Sequence, residues 1–186
     1  MKKIATSHPD VWELAPDVFQ DERGWFLETY SQQRFADFGI SETFVQDNHS
    51  QTLKEFTLRG LHYQIQHQQA KLCRVIEGEV LDVAVDIRVG SPNFGKAACV
   101  VLTAEKKNMI FIPKGFAHGF MVTKGPAQFL YKCSDFYSKA DERGVLWSDP
   151  ALGIEWGTTD PMLHVRDAMF PVLADVPGED LPVYGR

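Results

Sequence analysis

Along much of the chain, apolar and polar residues alternate with a period of two rather than 3.6. In EVLDVAVDIRVG, Leu81, Val83, Val85 and Ile87 alternate with Asp82, Ala84, Asp86 and Arg88, which is the pattern of a strand that buries one face. Similar runs occur at ETFVQDNHS, FTLRGLHYQ, AKLCRVIEG, KAACVVLTA, NMIFIPKG, HGFMVTKG and AQFLYKCSDFYS, separated by turn signals such as Glu77-Gly78, Gly90-Ser91-Pro92 and Lys124-Gly125-Pro126. Short strands at near-regular spacing imply an all-β protein, and an antiparallel jelly-roll β-sandwich with a few short helices is the expected architecture. Helical signal is weak apart from SQQRFADFG, where Ser31 can serve as N-cap and Gly39 lies just past the end. On AQFLYKCSD, Phe129, Tyr131 and Cys133 share one face, so Tyr131 is expected to point into the interior.

Length and composition leave this picture intact and narrow the possible functions. A chain of 186 residues with 44% hydrophobic and 24% charged residues, and no linker-like stretch, reads as one domain over 1–186. The formal charge of −6 argues against a nucleic-acid binder, which needs a basic surface. With no apolar run of signal-peptide or membrane-spanning length, a soluble, cytoplasmic protein without membrane contact is expected. Cys73, Cys99 and Cys133 are odd in number, lack C-x-x-C spacing and lie in apolar runs, so they read as buried core residues.

Histidine titrates near neutrality and serves both proton transfer and metal binding. Of the six, His8 and His67 sit in polar surroundings and read as surface or hydrogen-bonded structural residues. His118, in PKGFAHGF, closes a Pro-x-Gly-x-x-His turn that resembles the second signature of the cupin superfamily. The stretch matching the first signature is LHYQIQHQQAK, with Gln64 where a second histidine would stand and Lys71 downstream. A metal-binding cupin needs those ligands, and an ammonium beside them repels a divalent cation, so no metal is expected.

The blocks FQDERGWFLETY, FVQDNHSQT, LRGLHYQIQHQQAKLCRVIEGEVLDVAVDIRVGSPNFG, IPKGFAHGFMV, FLYKCSDFYS and ERGVLWSDPALGIEW span roughly residues 19–156, and a shorter match lies at HVRDAMFP. In this order they resemble the dTDP-4-dehydrorhamnose 3,5-epimerases, cofactor-independent sugar-nucleotide epimerases with a jelly-roll fold. The resemblance implies conversion of dTDP-4-dehydro-6-deoxy-D-glucose to dTDP-4-dehydro-L-rhamnose, a step toward L-rhamnose for cell-surface polysaccharide, by proton removal and return at C3 and C5. It implies His62 as base, Asp167 as the carboxylate that orients it, Tyr131 as acid, and Lys71 as the cation that stabilises the enolate oxygen. From local sequence alone, Asp167 reads as a helix N-cap or turn residue. Arg23, Arg59 and His118 would supply charge or donors to the diphosphate and sugar. Glu28, Gln46 and Asn48 would touch the nucleoside, Phe26 would stack on the base, and Glu142 with Arg166 would complete the nucleotide contacts. Arg166 departs from the lysine common at that position, and QTLKEFTLRG differs in detail from the family's pattern.

The resemblance further implies a homodimer in which an N-terminal segment carrying Phe26 and Glu28 crosses to the partner, and a C-terminal extension from about residue 160. Competing readings are an epimerase that inverts one carbon or uses another nucleotide, a metal-dependent cupin, and a non-catalytic carbohydrate-binding cupin. The broken metal signature counts against the metal-dependent cupin, and the set His62, Lys71 and Tyr131 counts against the non-catalytic one. Strict alternation in TLRGLHYQ would place Arg59 and His62 on opposite faces, although both are assigned to one pocket. A bulge at Gly60 would turn them to the same side.

Overall fold

The computed structural model describes residues 1–185. In chain order the strands are β1 (Lys2–Ala5), β2 (Trp12–Ala15), β3 (Val18–Asp21), β4 (Gly24–Leu27), β5 (Gln46–Thr52), β6 (Leu58–Gln64), β7 (Lys71–Asp86), β8 (Ala97–Thr103), β9 (Met109–Ile112), β10 (Phe116–Cys133) and β11 (Glu142–Gly144). A short helix, α1 (Gln32–Asp37), begins where Ser31 accepts a hydrogen bond from the Arg34 N–H, and Gly39 follows it at φ +79°, both as expected.

Two expected turns are not turns. Glu77-Gly78 lies within β7 and Lys124-Gly125-Pro126 within β10, and these two long strands pair antiparallel from Phe116↔Asp86 to Cys133↔Lys71. Each strand passes through both sheets of a sandwich. The first half of β7 pairs with β9, which leads to β2 and β1, while the second half of β10 pairs with β5. The other halves pair with β8 and with β6, which carries β11 at its edge.

At the crossing the inward-facing positions change parity. On β7 the interior receives Cys73 and Val75, then Val80 and Ala84; on β10 it receives Phe116, Phe120 and Val122, then Ala127 and Phe129. Register shifts between Val122 and Phe129 absorb the change. Gly78 sits at the corner with φ +76°, where a Cβ would lie 2.3 Å from the Pro126 carbonyl oxygen. The turn-forming residues therefore mark where the strands switch sheets, and local sequence cannot distinguish that bend from a chain reversal.

The alternation in EVLDVAVDIRVG also needs correction, because both faces of that segment are buried. Val83, Val85 and Ile87 pack with Leu61, Trp156, Leu173 and Leu181, so the C-terminal segment covers the outer face. Asp82 and Asp86 are fully buried on the inner side. A third cluster, including Leu14, Phe35, Leu72 and Met109, seats α1 on the outside of the other sheet. Cys73 and Cys133 are buried as expected, whereas Cys99 is exposed on the outward side of β8.

In β6 one residue is inserted relative to β10. His62 pairs with His118 and Arg59 with Phe120, so three steps on β6 match two on β10. This is the expected bulge, and because His118 and Phe120 share a face, Arg59 and His62 face the same side. Gly60 has φ +113°, and a Cβ there would lie 2.6 Å from the His118 carbonyl oxygen and 2.7 Å from the Gly119 Cα. Glycine is required at this point because the two backbones approach too closely for a side chain.

His8, expected at the surface or hydrogen-bonded, is fully buried against a charged node. Its Nδ1 accepts the Asp10 N–H and its Nε2 lies 3.3 Å from Asp86 without hydrogen-bonding geometry. Arg88 bridges Asp86 and Asp10 at 2.6 and 2.7 Å. Burial lowers the His8 pKa below 6.5, outweighing Asp86 and Asp10, with Arg88 lowering it further.

Gly60→Ala should destabilise the protein by about 1–3 kcal/mol, the usual cost of a strained backbone position; an unchanged denaturation midpoint would contradict the tight crossing. Because His8 has a depressed folded-state pKa, its contribution to stability is present above the unfolded value near 6.5 and is lost as pH falls below it. His8→Gln should therefore flatten the decline of the urea midpoint between about pH 6.5 and 5. An equally steep decline in the variant would show that His8 does not contribute.

Candidate active site

The sheet switching and the bulge bring side chains from four strands into one cleft between the sheets. A cavity of about 580 Å³ is lined by Arg59 and His62 of β6, Lys71 of β7, and His118, Phe120, Phe129 and Tyr131 of β10, together with Ser50 of β5 and Met162, Leu163, His164, Arg166 and Asp167. An adjoining cavity of about 350 Å³ is lined by Gln46, Asn48, Gln64, Tyr137 and Glu142. His62, Lys71 and Tyr131 line both, so they stand at the junction.

His62 Nε2 lies 2.9 Å from Asp167 Oδ1. A carboxylate only accepts, so Nε2 carries the proton in the neutral ring and Nδ1 keeps its lone pair. Asp167 opens a 3-10 turn (Asp167–Met169), as its local sequence suggested, but its buried carboxylate is aimed at the histidine. The bulge contributes directly, because the Gly60 N–H donates to Asp167 Oδ2 at 3.1 Å. Burial alone would raise the Asp167 pKa. The hydrogen bond and charge of His62, the Gly60 N–H and the Arg166 cation together hold it below the usual carboxylate range. Phe170 meets the His62 ring edge-on at 5.7 Å.

Tyr131 packs against the inner core beside Phe129, as the shared face required. Burial, reinforced by the neighbouring cysteines, pushes its hydroxyl up to about 12, so it remains protonated at neutral pH. Lys71 Nζ lies 6.0 Å from the Tyr131 ring centre and 3.5 Å from His118 Nδ1.

His118 differs from the expected free donor. Its Nε2–H is given to the buried Asp82 carboxylate at 3.0 Å, and Nδ1 faces the Lys71 ammonium. Burial lowers the His118 pKa despite Asp82, and Lys71 lowers it further, so the ring is a neutral acceptor that anchors the lysine. Cys73 joins Asp82 and His118 in a buried group with potential ligand atoms within 4.8 Å of one another. Burial, and then Asp82, raise its thiol well above the ordinary value, so it is a protonated core group. Gln64 is also occupied: its amide donates to the His67 and Phe136 carbonyls and accepts the Ser138 N–H.

Among the other expected site residues, Arg59 donates to Thr52 Oγ1 at 3.2 Å, and Gln46 donates to Asn48 at 3.1 Å. Glu142 and Arg166 form an ion pair beside His62. Arg23, Phe26 and Glu28 are not brought into the cleft. Arg23 pairs with Asp21 at the tip of the β3–β4 hairpin, Phe26 is 68% exposed, and Glu28 lies 3.3 Å from Arg34. Asp82 and Tyr137 were given no role from sequence. Asp82 lies on a face that alternation alone assigns to solvent, and Tyr137 lies at the end of the run AQFLYKCSDFYS, whose last residues fall beyond the end of β10 at Cys133.

The family model described as dTDP-4-dehydrorhamnose 3,5-epimerase matches residues 5–175. A Shigella flexneri dTDP-4-dehydrorhamnose 3,5-epimerase is 52% identical over 169 residues, covering 90% of this chain and 93% of the relative. The crystal structure of the Legionella pneumophila dTDP-6-deoxy-D-glucose-3,5-epimerase in complex with dTDP-4-keto-L-rhamnose superposes with a TM-score of 0.95 at 43% identity, covering 100% of this chain and 99% of that one. A 3'-monoepimerase from Streptomyces bikiniensis, in complex with dTDP-quinovose, gives 0.88 at 32% identity, covering 96% and 91%. With a family match over residues 5–175 and 52% identity to a relative across 90% of the chain, the chain belongs to the dTDP-4-dehydrorhamnose 3,5-epimerase family.

Proposed function

We propose that the protein converts dTDP-4-dehydro-6-deoxy-D-glucose to dTDP-4-dehydro-L-rhamnose by inverting C3 and C5. The observation that carries this reading is the His62–Asp167 pair, which shares a cavity with a protonated Tyr131 and with Lys71. The C4 ketone acidifies the hydrogens on its neighbouring carbons. His62 Nδ1 takes one of them, and Asp167 stabilises the resulting imidazolium. Negative charge then develops on the C4 oxygen, where the Lys71 ammonium compensates it. Tyr131 returns a proton to the carbon from the other side, inverting the centre. The tyrosine suits this role because its hydroxyl, pushed by burial up to about 12, carries its proton when the enolate forms. Arg59 lines the cavity that takes the diphosphate, with the nucleoside beyond it, while Gln46, Asn48 and Glu142 line the adjoining cavity on the far side of the sugar and so face the sugar rather than the nucleoside expected from sequence.

The one-carbon reading draws support from the likeness to the Streptomyces bikiniensis 3'-monoepimerase, and the two readings differ in the number of carbons exchanged. Domain organisation and assembly belong to the same proposal. Residues 1–186 act as one unit, and the C-terminal segment closes the outer sheet. The hairpin β3–β4, which forms its own two-stranded sheet, presents Phe26, Arg23 and Glu28 to the partner's cleft. Phe19, Trp25 and Phe26 are 61, 56 and 68% exposed on it, a large apolar surface for so small an element. No helix among the described residues is long and apolar enough to cross a membrane. The free thiols Cys73, Cys99 and Cys133 suit a reducing cytoplasm.

In deuterated water the metal-stripped protein should exchange the hydrogens at both C3 and C5 of the 4-keto sugar nucleotide, as read by NMR. Exchange at one carbon supports the narrower epimerase, and exchange only after metal is restored contradicts both. His62→Ala should cut exchange by about 10²–10⁴-fold, and Tyr131→Phe should slow net inversion more than initial proton loss. Near-normal turnover in the first, or equal effects on both steps in the second, would remove the assigned roles. Sedimentation equilibrium should give the mass of two chains, and a monomer would contradict the exchanged hairpin.

A further inference from the structure

Sequence assigned Glu142 and Arg166 only to the nucleotide, yet both pack directly around the proposed base. Arg166 Nη1 donates to Glu142 Oε2 at 2.5 Å, and Nη2 donates to Oε1 at 3.4 Å. The same Nη2 lies 3.4 Å from His62 Nε2, and Arg166 Nε lies 3.6 Å from Asp167 Oδ1. On the other side of the ring, Glu142 Oε1 lies 3.9 Å from His62 Nδ1, the nitrogen left free by Asp167. The Tyr137 hydroxyl donates to Glu142 Oε2 at 3.0 Å, and the Glu142 side chain is only 11% exposed. The carboxylate is thus held from two directions.

These contacts exert opposite electrostatic effects on His62. A carboxylate beside Nδ1 favours the imidazolium that forms when a proton is taken from carbon, while a guanidinium beside Nε2 disfavours it. Removing either charge leaves the other unbalanced. The bridge also depends on a planar fork: three nitrogens of Arg166 approach Glu142, Asp167 and His62 together, which a single ammonium cannot do. The departure from lysine at this position therefore has a structural consequence at the base.

We propose that Glu142 and Arg166 are a positioning pair that holds the His62 ring and balances the charge it acquires during proton transfer. The Arg166 cation beside Nε2 opposes positive charge on the ring, and the Glu142 carboxylate beside Nδ1 compensates that charge as the imidazolium forms. This rests on the reading of His62 as the base. The other charged and titratable groups lining the cavity with His62 are Asp167, Arg59 on β6, Lys71 on β7, His118 and Tyr131 on β10, and His164, and none of them is altered in the variants below.

The test is the pH dependence of deuterium wash-in at the sugar carbons for Glu142→Gln, Arg166→Gln and Arg166→Lys, with dTDP affinity measured by calorimetry. Glu142→Gln should move the acidic limb of kcat/KM to lower pH, and Arg166→Gln should move it to higher pH. Arg166→Lys should move it the same way as Arg166→Gln but less far, and kcat of Glu142→Gln should fall by a larger factor than its KM rises. Should Arg166→Gln fail to fold, the sign of the Glu142→Gln and Arg166→Lys shifts decides the matter. Limbs that coincide with the native profile, with the loss confined to KM and dTDP affinity, would reduce the pair to nucleotide contacts and overturn the proposal. If the native protein shows no wash-in, the base assignment itself fails, and the role of the pair fails with it.

Discussion

The geometry of the cleft depends on a single inserted residue in β6. Strand periodicity would send Arg59 and His62 to opposite faces, one toward the substrate and the other into the outer core. The insertion at Gly60 turns both inward, opposite Phe120 and His118. It also leaves the Gly60 N–H out of the ladder, and that N–H holds one oxygen of Asp167 while His62 holds the other. One backbone irregularity thus orients two side chains and fixes the carboxylate that supports one of them. The close approach to Gly119 that allows this excludes any Cβ at Gly60.

The same economy operates at larger scale in β7 and β10. Each strand changes sheet midway, at Gly78 and at Lys124-Gly125-Pro126, and the accompanying change of parity lets one strand furnish the cleft from both sheets. His118 comes from the first half of β10 and Tyr131 from the second, while Lys71 and Asp82 come from opposite halves of β7. Burial and local partners then shift the groups: burial and Lys71 lower the His118 pKa, burial raises that of Tyr131, and the donors of Asp167 lower its pKa against burial. The cleft therefore contains an acceptor, a donor and a cation in a partly desolvated space, as enolisation of a ketone requires.

Much of this was legible in the sequence, for identifiable reasons. Period-two alternation located β6, β8, β9 and the halves of β7 and β10, and the Ser31 cap located α1, because these signals are local. The bulge could be inferred because two polar residues in one strand needed one face. The sheet crossings carry the same local signal as turns, since glycine and proline mark a bend without saying whether the chain then reverses. Asp82 was misplaced because alternation shows that two faces differ and not that one meets water; its partner His118 is 36 positions away. The short strands β1 to β4 carry only four residues each, too few to display a period. The ring of Glu142 and Arg166 around His62 was invisible for a related reason: it joins β6, β11 and the turn at Asp167, which only the folded chain brings together.

The most direct measurement is a crystal structure of the protein with a dTDP-linked 6-deoxy sugar in the cleft. The diphosphate should lie against Arg59, and His62 Nδ1 and the Tyr131 hydroxyl should approach opposite faces of the sugar ring, each within about 3.5 Å of the carbon it serves. A ring with both groups on one face, or a sugar lying outside the junction of His62, Lys71 and Tyr131, would contradict the proposed arrangement.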